Sequence, residues 1–330
     1  MDLNSGPERF AGWIPIGLYW RGTQPMVDWC HAGDARFTDP FFEQTIAGLV
    51  QRPFQLLFRH QTPVEELPAI NAALPGLKLG GFIFHLSRCG STVVSRMLAA
   101  LPQNLVLSEP RLLDFVFRSH FHQSSISEEQ RITWLRSLVS ALGQQRRTEQ
   151  THYFIKFDSW HALQLPLIRR AFPEVPWLFI YREPAEVMVS HERQPAAQMV
   201  PGVIDPRWLG LAPDALGRIP GDEYCARVLA AILQTALTHS NTGNVQFINY
   251  RQLPDIVFSL ILPFFQVSCA AGSMSHLREV ARLNAKEPSQ PFMPDSAAKQ
   301  KEAGERIRQL SDRLLQPWYE QMEARSSHSA

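Results

Sequence analysis

The residues best suited to chemistry lie in Phe82-Ile83-Phe84-His85-Leu86-Ser87-Arg88-Cys89-Gly90-Ser91-Thr92, where an apolar run enters a loop with one glycine and several hydroxyls. A strand running through such a loop into a helix aims backbone N–H groups and the positive helix end at one point, which suits a phosphate. Gly90 lets the backbone come close, and Ser91 and Thr92 add hydroxyl donors. Arg88 adds a fixed cation, and a charge-assisted hydrogen bond of that type is worth roughly 1.5–3 kcal/mol. The plain alternative is a strand-to-helix turn with a serine cap. The loop is not a Walker A motif, because the first glycine and the lysine of G-x-x-x-x-G-K-[ST] are both missing.

A second set of residues follows Trp177-Leu178-Phe179-Ile180-Tyr181. Arg182 falls at the carboxyl end of that apolar run, and Ser190 lies eight residues on, inside a helix that Pro184 starts. The pair can grip another phosphate; alternatively it is a surface arginine and an incidental helical serine. Lys156 interrupts the apolar run Tyr153-Phe154-Ile155-Lys156-Phe157. A buried unpaired ammonium is costly, so Lys156 either snorkels to solvent or meets an anion.

The elements that must position these groups alternate between strand and helix from Gly80 onward. Strands are expected at Phe82 to Leu86, Asn104 to Leu107, Tyr153 to Phe157, Trp177 to Tyr181 and Val245 to Tyr250. Helices are expected at Ser91 to Leu101, from the capping box Ser127-Glu128-Glu129-Gln130 to Leu142, from about Asp222 to His239, and from about Ala297 to Glu323. The pattern predicts a three-layer α/β fold with a central, mainly parallel sheet, whose ligands bind beyond the carboxyl ends of the strands. The first 79 residues, rich in Trp, Phe and Pro, read as an extension or small subdomain packed on the core domain of residues 80–330. Within them Ile14 to Trp20 and Phe54 to Phe58 look like strands, and Phe41 to Val50 like a helix.

Taken together, the two loops resemble the P-loop sulfotransferase superfamily, over Gly80 to about Leu253. The resemblance implies a P-loop NTPase-like sulfotransferase fold. It implies that Ser87, Arg88, Cys89, Gly90, Ser91 and Thr92 hold the 5′-phosphosulfate of 3′-phosphoadenosine 5′-phosphosulfate, and that Arg182 and Ser190 hold its 3′-phosphate. An arginine at position 88 is like tyrosylprotein and several bacterial members; cytosolic members have lysine there. Asn249-Tyr250-Arg251-Gln252-Leu253 resembles the strand-end segment before the family's C-terminal part. The family's C-terminal R-K-G element is not evident; Lys286, in Asn284-Ala285-Lys286-Glu287-Pro288, is either its substitute or a solvated loop lysine.

Sulfuryl transfer to the hydroxyl or amine of a small-molecule or peptide acceptor needs a base for the acceptor proton, a cation at the leaving phosphate and in-line placement of the two. Arg88 suits the leaving group, with Lys156 as second cation. Glu109, after the second strand, is the expected base, its pKa raised by burial; the alternative is a loop carboxylate paired with Arg111. Asp158 is the runner-up base, or a cap for the next helix. His85, His120, His122 and His191 read as satisfied or surface histidines. The long stretch Gln194 to Gly221, broken by prolines and glycines, is expected to form a partly apolar lid at the acceptor side.

Composition narrows the function classes. A net charge of +1 leaves no broad basic surface for nucleic acid. The four scattered cysteines make no C-x-x-C pair, which argues against a disulfide framework or structural zinc and for a reducing compartment. Met1 to Phe10 lacks a signal-peptide layout and the apolar run Ile256 to Phe265 is too short to span a membrane, so a cytoplasmic protein is expected. No metal is expected, and the nucleotide product would be adenosine 3′,5′-bisphosphate. Two rival readings stay open: a kinase or NTPase using ATP and magnesium, with Phe154-Ile155-Lys156-Phe157-Asp158 as a Walker B-like strand, and a non-catalytic nucleotide- or partner-binding protein of the same fold.

Overall fold

The computed structural model describes residues 6–326 apart from 242, 243, 288, 292 and 294, so the first five residues of the Met1 to Phe10 stretch and Pro288 lie outside the described residues. Among the described residues, eight strands form two sheets: β1 (Trp13–Arg21), β2 (Gln24–His31), β3 (His60–Pro63), β4 (Leu79–His85), β5 (Asn104–Ser108), β6 (His152–Lys156), β7 (Trp177–Tyr181) and β8 (Val245–Asn249). The larger sheet has the order β5-β6-β4-β7-β8, and every neighbouring pair in it is parallel.

The strand sequences account for this arrangement. A parallel strand covered on both faces reads as a continuous apolar run, and all five residues of β7 are buried. Phe84 of β4 stacks on Phe157 with centroids 4.7 Å apart, edge-on to Trp177 at 5.7 Å. Aromatic pairs of this kind stabilise by about 0.5–1.5 kcal/mol beyond their buried area. Helices cover the sheet, among them Ser91–Ala100, Glu128–Leu142 and Gly221–Thr238. The expected three-layer α/β arrangement with a parallel central sheet is therefore observed.

β4 is the pivot. The chain leaves it outward to β5 and returns through β6 on one side, then continues through β7 and β8 on the other. Such a reversal opens a crevice beyond the carboxyl end of the central strand. The loops after β4, β5, β6 and β7 all end there.

The N-terminal residues form an antiparallel sheet of order β1-β2-β3. Phe54 to Phe58, expected as a strand, is instead the helix Pro53–Leu57. Pro53 occupies its first turn, where a missing N–H costs nothing, and an unbroken apolar run does not distinguish strand from helix. Leu56 and Leu57 are exposed, so their apolarity marks no core strand. The real strand, β3, follows in the polar letters His60–Pro63. The single C-terminal helix expected from Ala297 to Glu323 is three: Ser296–Glu302, Glu305–Leu314 and Gln316–Ser326. Gly304 caps the second, and Pro317 enters the first turn of the third. No helix among the described residues is long and apolar enough to cross a membrane.

Candidate active site

Two cavities adjoin at the carboxyl edge of the parallel sheet. The first, of about 780 Å³, is lined by the whole loop from Ser87 to Thr92, by Glu109, Asp158, Arg182 and Ser190, and by Lys286. The second, of about 690 Å³, shares Asp158, Arg111 and Gln198 with the first. Of the catalytic and nucleotide-binding candidates named from the sequence, Lys156 alone is absent from the lining of the first cavity.

The loop after β4 is not a serine-capped turn. Gly90 is the residue before the helix Ser91–Ala100, at φ 82°, and no side chain caps that helix. Its open amino end therefore faces the cavity, where the helix dipole favours an anion. A Cβ on Gly90 would lie 2.8 Å from Leu253 and 2.9 Å from Tyr250, so glycine is required by space as well as by φ. Ser87 and Arg88 also have left-handed backbones, at φ 82° and 51°, and so does Glu109, at 57°. Residues held in this region cost of order 1–3 kcal/mol each and gather at functional sites; all three of these line one cavity. Cys89 turns its thiol away from the cavity to donate to the Ile180 carbonyl at 3.1 Å, and burial pushes that thiol up to about 12.

His85, read as an ordinary histidine, organises this loop. Its Nδ1 accepts from the Ser87 N–H at 3.1 Å, so its Nε2 carries the proton and donates to the Phe157 carbonyl at 3.1 Å. Burial lowers the His85 pKa and keeps the ring neutral.

Lys156 has no exposed surface and donates to Glu109. The structure thus chooses between the two fates expected of a strand lysine: it meets an anion. Glu109 pairs with Lys156 and not with Arg111. Burial works to raise the Glu109 pKa, but the Lys156 charge and the His85 hydrogen bond outweigh it and hold the carboxyl well below its ordinary value. The expectation of a raised Glu109 pKa is therefore reversed.

Asp158 behaves oppositely. It precedes the turn Ser159–Gln164 but caps it with no side-chain hydrogen bond. Burial, and next the nearby Glu109 charge, raise its pKa. It lies where the two cavities meet, with the Ser159 hydroxyl 3.4 Å from Oδ1. Gln198 donates to that hydroxyl at 2.6 Å, which ties the segment after Gln194 to the site. That segment is packed down: Met199 and Ile204 are buried, and Trp208 stacks on Trp160 at 5.5 Å.

Arg182 is buried, so it is no surface arginine. Its Nε donates to Glu186 at 2.6 Å and its Nη2 to Asp295 at 2.6 Å, while its guanidinium lies 4.1 Å from the centre of the Tyr250 ring. Asp295 also holds Lys299 at 2.5 Å. Ser190 lines the cavity, with its hydroxyl on the Glu186 carbonyl at 2.8 Å. The spacing of Arg182 and Ser190 was legible in the sequence, but the two carboxylates were not. Glu186, at i+4 from Arg182, was the available signal.

Lys286 is held by an Asn284 turn, whose Oδ1 accepts from the N–H of Lys286 at 2.9 Å. Loss of solvent at the cavity wall, with the charges of Arg88 and Lys156, lowers its pKa to about 8. Arg88, Lys286 and the open helix end leave this cavity electropositive on one side, as an anion site requires.

No family model and no curated protein matches the chain. Among solved structures, the chain is similar to the sulfotransferase domain from the curacin biosynthetic pathway, at 16% identity and TM-score 0.42, covering 73% of this chain and 98% of that one. It is also similar to sulfotransferase STF9 from Mycobacterium avium, at 12% identity and TM-score 0.40, over 77% of this chain and 79% of that one. A third is a sulfotransferase from Alicyclobacillus acidocaldarius, at 16% identity and TM-score 0.36, over 73% and 99%. These three structural neighbours are sulfotransferases.

Proposed function

We propose that the protein is a sulfotransferase that moves a sulfuryl group from 3′-phosphoadenosine 5′-phosphosulfate to an acceptor hydroxyl. The observation that carries the reading is the convergence of Arg88, Lys286 and the uncapped start of the helix Ser91–Ala100 on one cavity that also holds Arg182 and Ser190. The donor supplies an activated sulfuryl group bonded to a phosphate oxygen. Arg88 and Lys286 stand ready for the charge that grows on that oxygen as the bond to sulfur breaks. Asp158 replaces Glu109 in the role of base, because its carboxyl has a raised pKa and faces both cavities. Glu109 and Lys156 form the buried pair that sets the exit of β5 against β6.

Calorimetric titration with adenosine 3′,5′-bisphosphate, beside ATP with and without magnesium, tests this. Binding of the bisphosphate without metal is expected. Binding of ATP with magnesium alone would overturn the proposal in favour of a kinase or NTPase. The expected affinity depends on pH in one direction: Lys286 must be charged to hold the anion, so binding weakens as pH rises through about 8. Lys286→Gln should flatten that dependence.

Asp295 makes a further expectation. It sits on Arg182 and Lys299 as an internal anion, in the position a phosphate would claim. Asp295→Asn removes the competing charge and should tighten bisphosphate binding by about tenfold, ~1.4 kcal/mol. An unchanged dissociation constant would show that Asp295 and the nucleotide do not share Arg182.

A further inference from the structure

We infer that the second cavity takes a planar ring alcohol carrying an anionic group, such as a phenol with a carboxylate, and that the N-terminal sheet supplies one wall of this acceptor site. The inference rests on the sulfotransferase reading of the first cavity.

The walls favour a ring. Ile16, Leu18 and Trp20 are alternate residues of β1, all partly exposed, and they line the cavity opposite Trp160. The Trp20 ring is 4.9 Å from Phe115 and stacks on His122 at 4.6 Å. Flat aromatic surfaces of this kind bind flat partners by offset or edge contact. The volume, about 690 Å³, lies within the range of small-molecule pockets, roughly 300–1,000 Å³.

The charges favour an anion on that ring. Four carboxyl or imidazole groups face the cavity. Asp114 is held by His161 at 2.6 Å, Glu43 takes the backbone N–H of Arg111, His122 is stacked on Trp20, and Asp158 stands at the junction with the first cavity. Arg111 is matched by the nearby Glu43 charge, but Arg118 is not matched in this way. Among the described residues Arg118 makes no ion pair, and its buried Nε has no hydrogen-bond partner. Arg118 lies 4.7 Å from the centre of the Trp160 ring, so its charge borders the aromatic wall. A ligand with a ring against Trp20 and an anion on Arg118 can bring its hydroxyl to Asp158. There Asp158 takes the hydroxyl proton, the acceptor oxygen bonds to sulfur, and the sulfur–oxygen bond to the donor phosphate breaks. The electron pair of that bond goes to the departing phosphate oxygen of adenosine 3′,5′-bisphosphate.

The probes are 3-(4-hydroxyphenyl)propionate and neutral 4-ethylphenol, read by tryptophan fluorescence for binding and by labelled sulfuryl transfer for turnover. The anionic phenol should bind about tenfold more tightly than the neutral one. Arg118→Met should abolish that preference and leave both 4-ethylphenol and bisphosphate affinity unchanged. Trp20→Leu should weaken both phenols equally and leave the bisphosphate alone, which keeps the inference testable if Arg118→Met does not fold. Bisphosphate binding without a preference for the anionic phenol, or equal loss of both phenols on Arg118→Met, overturns this inference alone. Binding of the phenols without sulfuryl transfer, where bisphosphate binds, overturns the acceptor role. Failure of wild-type protein to bind bisphosphate overturns the donor reading and the acceptor role with it.

Discussion

Asp158→Asn should lower kcat by about two to four orders of magnitude, the usual contribution of a positioned general base. An amide keeps the shape of the carboxyl and its contact with Ser159 while losing the basic oxygen. Nucleotide affinity should therefore be unchanged, and the loss should fall on kcat more than on KM. The pH profile gives a second readout. A base works when ionised, so kcat/KM of the wild type should rise with pH through the Asp158 pKa, which lies above the ordinary aspartate value. That limb should vanish in Asp158→Asn. Sulfuryl transfer to 3-(4-hydroxyphenyl)propionate or 4-ethylphenol measures both. Activity within about threefold of wild type would return the role of base to another group, Glu109 first.

The contrast between these two carboxylates shows how much of the site the sequence discloses. Both follow strands of a parallel sheet, and their placement at its carboxyl edge can be read from the strand-helix alternation. Which one is free depends on a lysine 47 positions from Glu109 and on His85. That pairing follows from β5 lying beside β6, a matter of strand order that local pattern does not contain. Arg182 teaches the same lesson: its place after β7 is evident, while its neutralisation by Asp295 comes from a residue 113 positions away. The loop from Ser87 to Thr92 was the most legible feature because all its determinants are local. The N-terminal sheet was the least legible: β3 is short and polar, and the apolar letters before it form an exposed helix.

The positions of the charged groups also explain why the site can hold strained backbone. Ser87, Arg88 and Glu109 are left-handed, and each is braced by a hydrogen bond: Ser87 by His85 at the end of its own strand, Arg88 by the Gln194 carbonyl after a helix at 2.8 Å, and Glu109 by its N–H on the Lys156 carbonyl at the exit of β6 at 2.6 Å. The sheet fixes the exits, the exits fix the bonds, and the bonds hold conformations that the isolated loops would abandon.

Glu109→Gln should cost about 3–5 kcal/mol of folding stability, the typical result of stranding one member of a buried ion pair. Lys156 has no exposed surface, and Glu109 is its carboxylate partner. Without its charge the ammonium keeps only the neutral amide oxygen of the glutamine and a weak attraction to the Phe41 ring, 5.3 Å away. Urea denaturation should show the loss as a lower midpoint with an unchanged slope. The wild type should show the matching pH dependence. A carboxyl with a depressed folded pKa stabilises the protein above its unfolded value, near 4.5, and that stability is lost as pH falls toward the folded pKa. Glu109→Gln should lack this loss. Replacing both partners, Glu109→Leu with Lys156→Met, should recover most of the stability, because two apolar side chains leave no unpaired charge. If the double variant is stable and still binds bisphosphate, its turnover tests the pair: full activity would make Glu109 and Lys156 a structural brace alone, and a large loss would place at least one of the two charges in the reaction.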